Sequence, residues 1–177
     1  LWGTVSIYLT VLAWLYSSRS WLDWDLARHG VRVSLEVQAL STQGGAPVAG
    51  DGVMLQQVLV NLLRNAIDAM ADSPPGERRL SVSSRVDDAG EHLEIAIADT
   101  GCGIGEDAAG QLFMPFFTTK PTGMGVGLNI CRSLIELHQG RLWFTHNEER
   151  GCTFHVALPL VPDAATAQLP RFHDCGG

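Results

Sequence analysis

The sequence predicts a two-layer α+β sandwich, in which a mixed, mainly antiparallel sheet is covered by helices on one face. Three observations predict it. Segments with a strand period come as one single strand and two hairpins, two amphipathic helical runs separate them, and the order strand, helix, hairpin, helix, hairpin leaves one layer of each kind. The chain has 177 residues, 46% of them apolar and 18% charged, enough for one domain with its own core.

Residues 1–18 carry no charge. Val5, Ile7, Leu9 and Val11 alternate with Thr4, Ser6, Tyr8 and Thr10 as in a strand, while Leu1, Val5, Leu9, Leu12 and Tyr16 also fit a helix. The run falls short of the roughly 20 apolar residues of a spanning helix and lacks the basic start of a signal peptide. A packed or partner-covering segment, a membrane remnant and a stretch foreign to the domain stay open, so residues 1–24 are unassigned.

Val31-Arg32-Val33-Ser34-Leu35-Glu36-Val37 alternates as a half-buried strand. The Gly- and Pro-bearing loop Ser41 to Gly50 ends it, and Asp51 suits a helix N-cap. A long helix follows to about Met70, with Leu55, Leu59, Leu62, Ala66, Ile67 and Met70 as its apolar face. Asp72-Ser73-Pro74-Pro75-Gly76 stops it. Strands at about 78–86 and 92–98 flank the turn Asp87-Asp88-Ala89-Gly90. Leu128 to His138 is a second helix, with His138 at its end as a cap and Gly140 as its stop. Strands at about 141–146 and 152–158 surround the turn Glu148 to Gly151. The domain is expected over 25–160, followed by a tail over 161–177.

The net charge of −7 argues against a general nucleic-acid binder, which needs clustered Lys and Arg. Cys102, Cys131, Cys152 and Cys175 lack metal-binding spacing and read as reduced thiols of a cytosolic protein.

The chemistry is concentrated between Asp99 and Leu128. Asp99-Thr100-Gly101-Cys102-Gly103-Ile104-Gly105 ends an apolar strand in a glycine loop, and Gly123-Met124-Gly125-Val126-Gly127-Leu128 opens a helix. Glycine admits close main-chain approach, and a helix start offers N–H groups and a positive dipole end to an anion. A carboxylate at the strand end accepts from an exocyclic amine, which adenine has and guanine lacks at that position. Lys120, the chain's one lysine, adds a point charge near a terminal phosphate. Thr118, Thr119 and Thr122 are candidate hydroxyl donors, and Phe113, Phe116 and Phe117 are either core residues or a clamp for a lid. On the long helix, Asn61, Asn65 and Asp68 fall at i, i+4 and i+7 and share one face. Carboxamide oxygens suit Mg²⁺, which fills its other positions with water and substrate phosphates.

This set resembles the catalytic ATP-binding domain of bacterial sensor histidine kinases, in the superfamily that includes DNA gyrase, MutL and the heat-shock chaperone ATPases. An N box (Asn61 to Ala69), a first glycine box (Asp99 to Gly103), an aromatic box (Phe113 to Lys120) and a second glycine box (Gly123 to Leu128) stand in the family's order. The wording looks like the oxygen- and nitrogen-sensing subgroup. The resemblance implies the Bergerat-type sandwich, with ATP and Mg²⁺ as ligands. It implies that Asn65 ligates the metal with Asn61 in support, and that Asp99 binds the adenine amine in a pocket shaped by Gly101, Gly103 and Ile104. Asp68, Phe117, Thr118, Thr119 and Lys120 would complete the nucleotide site. Gly123, Gly125, Val126, Gly127 and Leu128 would hold the phosphates beneath a lid of about 106–122.

Catalysis would rest on Asn61, Asn65 and Lys120, with Arg64 or Arg132 as further candidates for the phosphate charge. The hydrolase branches carry a glutamate base where this chain has Asn61, which cannot take up a proton at neutral pH. Slow hydrolysis and transfer to another group follow from that difference. The acceptor histidine is expected on a separate dimerisation domain, with a response regulator downstream, no nucleic-acid partner and a cytoplasmic location. A non-catalytic nucleotide-sensing module, or a gyrase- or MutL-type ATPase, is the alternative.

Overall fold

The computed structural model describes residues 4–6, 26–37, 47–118 and 125–161. The strands are β1 (Thr4–Ser6), β2 (Arg32–Val37), β3 (Pro47–Ala49), β4 (Arg79–Val86), β5 (His92–Asp99), β6 (Arg141–His146) and β7 (Cys152–Pro159). The helices bounded within the described residues are α1 (Gly52–Ala69), a single turn α2 (Glu106–Ala109) and α3 (Gly127–Leu137), and residues 26–29 are helical as well. Five strands form one sheet in the order β2-β4-β5-β7-β6, parallel only between β2 and β4. A parallel neighbour requires a long crossover, and α1 lies in that connection. The predicted sandwich is therefore present.

Helix α1 starts where its sequence says it should. The Asp51 carboxylate accepts from the N–H groups of Val53 (2.8 Å) and Met54 (3.2 Å), two donors that the helix itself leaves unpaired. The predicted apolar face is buried, and Val58 and Leu63 widen it. Against it the sheet turns Leu80, Val82, Leu93, Ile95, Ile97, Phe154, Val156 and Leu158, the alternate residues of strands with one wet face. Burying a side chain of Leu62's size contributes about 2–3 kcal/mol.

Helix α3 packs on α1 and is fastened to it at one end by His138, which is 5% exposed. The imidazole Nδ1–H donates to the Leu134 carbonyl (2.7 Å), and Nε2 accepts the Asp51 N–H (3.0 Å). The predicted helix cap thus also satisfies the start of α1. We expect His138→Ala to cost about 2–3 kcal/mol, from an orphaned buried N–H and a lost ring. The denaturation midpoint should fall with the slope unchanged.

Two expectations are corrected. The strand at 31–37 was expected to be half-buried, yet Val33 and Leu35 are 41% and 49% exposed. They share a face with the buried Leu80 and Val82, but β2 is the outermost strand, where the helical layer no longer covers them. The sheet also runs further than expected, because Pro159 closes β7 and Leu160 bridges to Val48. Of residues 1–24, only Thr4–Ser6 are described, as a strand antiparallel to Pro47–Ala49. The remainder of that segment and residues 162–177 lie outside the described residues. No helix among the described residues is long and apolar enough to cross a membrane.

Candidate nucleotide-binding site

Asp99 is the last residue of β5 and is 1% exposed. Its Oδ1 accepts the Gly101 N–H at 2.8 Å, and the Cys152 thiol donates to Oδ2 at 3.4 Å. Burial nevertheless raises its pKa above the ordinary carboxylate value, because desolvation outweighs these bonds. The same surroundings, and the Asp99 charge itself, push the Cys152 thiol well above the usual thiol range. It therefore stays a neutral donor.

The backbone around Asp99 is held from two directions. On one side the Cys102 N–H donates to the Ala69 carbonyl (3.0 Å), and a Cβ at Gly101 would stand 2.5 Å from that same oxygen. The first glycine loop is thereby pressed onto the end of the helix that carries Asn65 and Asp68. On the other side the β6–β7 turn closes over the strand. Asn147 donates its carboxamide N–H to the Asp99 carbonyl (2.8 Å), while its own oxygen accepts the Thr153 hydroxyl (2.7 Å). Gly151, at φ +87°, lies so close that a Cβ there would collide with the Asp99 carbonyl.

The second glycine box joins the aromatic box and α1. Gly125 has φ +67°, and a Cβ would stand 2.5 Å from the Phe116 carbonyl carbon and 2.6 Å from the Phe117 oxygen. Asn129, in the first turns of α3, donates to the Phe113 carbonyl (3.1 Å), and the Arg132 guanidinium lies 5.5 Å from the Phe113 ring centre. Arg132 is also paired with Glu136 at 2.8 Å. Val126 stands at the N-cap of α3, and its side chain makes no bond to the first N–H groups of the helix. Leu128 and Ile104 pack against the core.

Asn61 sits at the crossing of the helices. Its Oδ1 is 3.7 Å from where a Gly127 Cβ would stand, and its carboxamide reaches the Cys131 thiol, which burial pushes up to about 11. Asn65 is half-buried and Asp68 exposed on the same side of α1. Gly103 takes φ +73°, Phe117 is half-buried, and Phe116 is 80% exposed at φ +66°, a left-handed conformation that a bulky residue adopts only under strain. Thr118 is exposed. Thr119, Lys120, Thr122 and Gly123 lie outside the described residues, as does all of the expected lid beyond Thr118. Its described part contains the short helix α2, which the sequence reading lacked.

The structure thus brings the first glycine box and Gly127 against α1, and sets the described part of the aromatic box against Gly125 and α3. Sequence reasoning missed Asn147, Gly151 and Cys152. The signal for them was Gly151 itself, followed by a strand that returns alongside Asp99. Of the six histidines only His173 precedes an acidic residue, Asp174, and both lie outside the described residues.

A family model described as "Histidine kinase-, DNA gyrase B-, and HSP90-like ATPase" matches residues 50–162. The chain is 49% identical over 120 residues to the sensor protein FixL of Bradyrhizobium diazoefficiens, covering 68% of this chain and 23% of FixL. It is 40% identical over 141 residues to the sensor protein TdiS of Thauera aromatica, covering 80% of this chain and 25% of TdiS. The chain therefore spans about a quarter of these curated relatives. Among solved structures, the mycobacterial sensor histidine kinase MprB is similar at 27% identity and a TM-score of 0.69, covering 92% of this chain and 99% of that one. The catalytic domain of histidine kinase ThkA shares the fold, with a TM-score of 0.73 at 24% identity, over 90% of this chain and 95% of that one. By motif, fold and sequence, this chain belongs to the histidine kinase-, DNA gyrase B- and HSP90-like ATPase family, as a histidine kinase catalytic domain.

Proposed function

We propose that this domain binds ATP with Mg²⁺ and donates the γ-phosphoryl group to a histidine of a separate dimerisation and phosphoacceptor domain. A response regulator would lie downstream, and the work would be done in the cytoplasm. The observation that carries the reading is Asp99, a buried carboxylate held by Gly101 and Cys152 in a loop pressed onto the N-box helix. An ionisable group placed at such a desolvation cost suits recognition of a single amine.

Asp99 would accept from the adenine amine, with Gly101, Gly103 and Ile104 walling that pocket. Asn65 would supply a carboxamide oxygen to Mg²⁺, whose chemistry there is to neutralise the phosphates. The start of α3, from Val126 to Leu128, would receive the phosphates with Gly123 and Gly125, and Lys120 would add charge at the γ-phosphate. Asp68, Phe117, Thr118 and Thr119 would border the nucleotide. Asn61, engaged with α3, offers no base for water, so positioning and charge neutralisation carry the transfer.

The test is calorimetric titration of ADP with and without Mg²⁺, followed by incubation of the domain with ATP and an isolated acceptor domain. Phosphate appearing on the acceptor histidine supports the proposal. Nucleotide binding without transfer supports a sensing module instead, and brisk hydrolysis without acceptor supports a gyrase-like ATPase. Asn65→Ala should remove most of the Mg²⁺-dependent gain in affinity, about tenfold or more. An unchanged gain would overturn its assignment.

A further inference from the structure

The sheet has a second face, over which the described residues place no helix. Its outward residues follow from the register. One row reads Ser34, Ser81, Ala98, Thr153, Thr145, the next Glu36, Ser83, Ala96, His155, Trp143, and the next Arg85, Glu94, Ala157, Arg141. Arg32 and Arg79 pair at the other end. Four arginines therefore meet two glutamates on this face of a chain whose net charge is −7. The rest of the surface carries the acidic excess, so this face is electrostatically the odd one out.

One end of the face is built up. Trp143 stacks on His155, with centroids 5.0 Å apart and planes 7° from parallel, and the His155 ring bonds Thr145 at 2.9 Å. The Arg141 guanidinium lies 5.1 Å from the Trp143 ring centre. Beside them a cavity of about 350 Å³ opens over the small floor of Ala157, walled by His92, Glu94, Gln139, Arg141 and Trp143. Two carboxylates also line it: Glu94 is paired with Arg85 at 2.6 Å, and Asp87, at the rim, is hydrogen-bonded to the His92 ring at 2.9 Å. Arg141 is not matched, since no carboxylate among the described residues reaches it. Gln139 enters the cavity wall from a left-handed backbone, φ +58°, at the end of α3.

We infer that this cavity is a docking site for an acidic peptide segment of a partner protein, with Arg141 taking a carboxylate and Trp143 taking an adjoining apolar side chain. An arginine fork matches a carboxylate in two hydrogen bonds. A tryptophan braced by a stacked ring is a rigid contact that loses little freedom on binding. The site lies on the opposite face of the sheet from the helices that carry the nucleotide boxes, so it is independent of the proposed nucleotide chemistry.

The test uses the whole 177-residue chain labelled with ¹⁵N. The probes are an acetylated, amidated peptide of glutamates around one leucine, its lysine counterpart and single-stranded DNA. The glutamate peptide is expected to shift the Trp143 indole N–H and the Ala157 and Arg141 amides, and to bind more weakly as salt rises. Arg141→Glu should weaken that binding about tenfold or more and leave ADP affinity unchanged, which shows that the variant is folded. Absence of shifts in millimolar peptide, equal binding by the variant, or preference for the lysine peptide or DNA would each overturn the inference.

Discussion

Asp99→Asn is expected to lower ADP affinity roughly 30- to 100-fold, from loss of a charge-assisted bond worth about 2–3 kcal/mol, and to relax the preference for adenine over guanine nucleotides. Asparagine keeps an oxygen for the Gly101 N–H, so the loop itself should persist. The same change should leave the ligand-free domain at least as stable at neutral pH, because it removes a buried charge. The sign follows from linkage. Burial raises the Asp99 pKa above its ordinary 3.8, so the folded state holds that proton more tightly than the unfolded chain. Its favourable contribution is full below the unfolded value and is lost as pH rises through the folded one. The stability advantage of the variant should therefore be greatest at neutral pH and shrink as pH falls towards 4. Thermal melts across that range, together with competition between ADP and GDP, check both halves. A variant that melts well below the parent at pH 7 would mean that Asp99 is mainly structural.

Gly151→Ala is expected to be strongly destabilising. At φ +87° an L-residue is strained, and the new Cβ would also strike the Asp99 carbonyl, which Asn147 already engages. Strain of about 1–2 kcal/mol and a forced backbone shift of similar cost together make about 3 kcal/mol. In a chain of this size that lowers the melting temperature by roughly 6–12 °C. Nucleotide affinity should fall as well, because the strand end carrying Asp99 has to move. Gly90→Ala supplies the control. Gly90 also has a left-handed backbone, φ +71°, but nothing lies within 4 Å of a Cβ there. It should show the strain alone, with nucleotide affinity intact. Equal losses in the two variants would remove the collision from the explanation.

These two residues also mark what could be read from the chain before folding. Asp99 was legible because its chemistry is local: an apolar strand, a carboxylate, then glycines. The apolar face of α1 was legible for the same reason, since a period of 3.6 is a local property. Gly151 was assigned only to a turn, because its constraint comes from a strand end 52 positions earlier that only the sheet register brings alongside. The β2 face failed on similar grounds. Alternation at Val33 and Leu35 tells which side points inward, but not whether a helix reaches that far. Arg141 and Trp143 were read only as part of a strand, since neighbours across the sheet give them their surroundings. The grouping of Asn61 with Gly127 was implied by the ordered boxes, while its contact with Cys131 needed the crossing of two helices.

His138 has a mechanical consequence. It pins one end of α3 to the beginning of α1, while the opposite end follows directly on Gly125 and Val126. An 11-residue rod is about 16 Å long, so pivoting by about 5° on that rivet would carry its far end, where Asn129 meets Phe113, roughly 1.4 Å. A shift of that size at the tip leaves the fulcrum, and most of the hydrocarbon beneath it, almost stationary. Were a ligand to seat at that end, a swing of one lever would register its arrival without loosening the body that bears it.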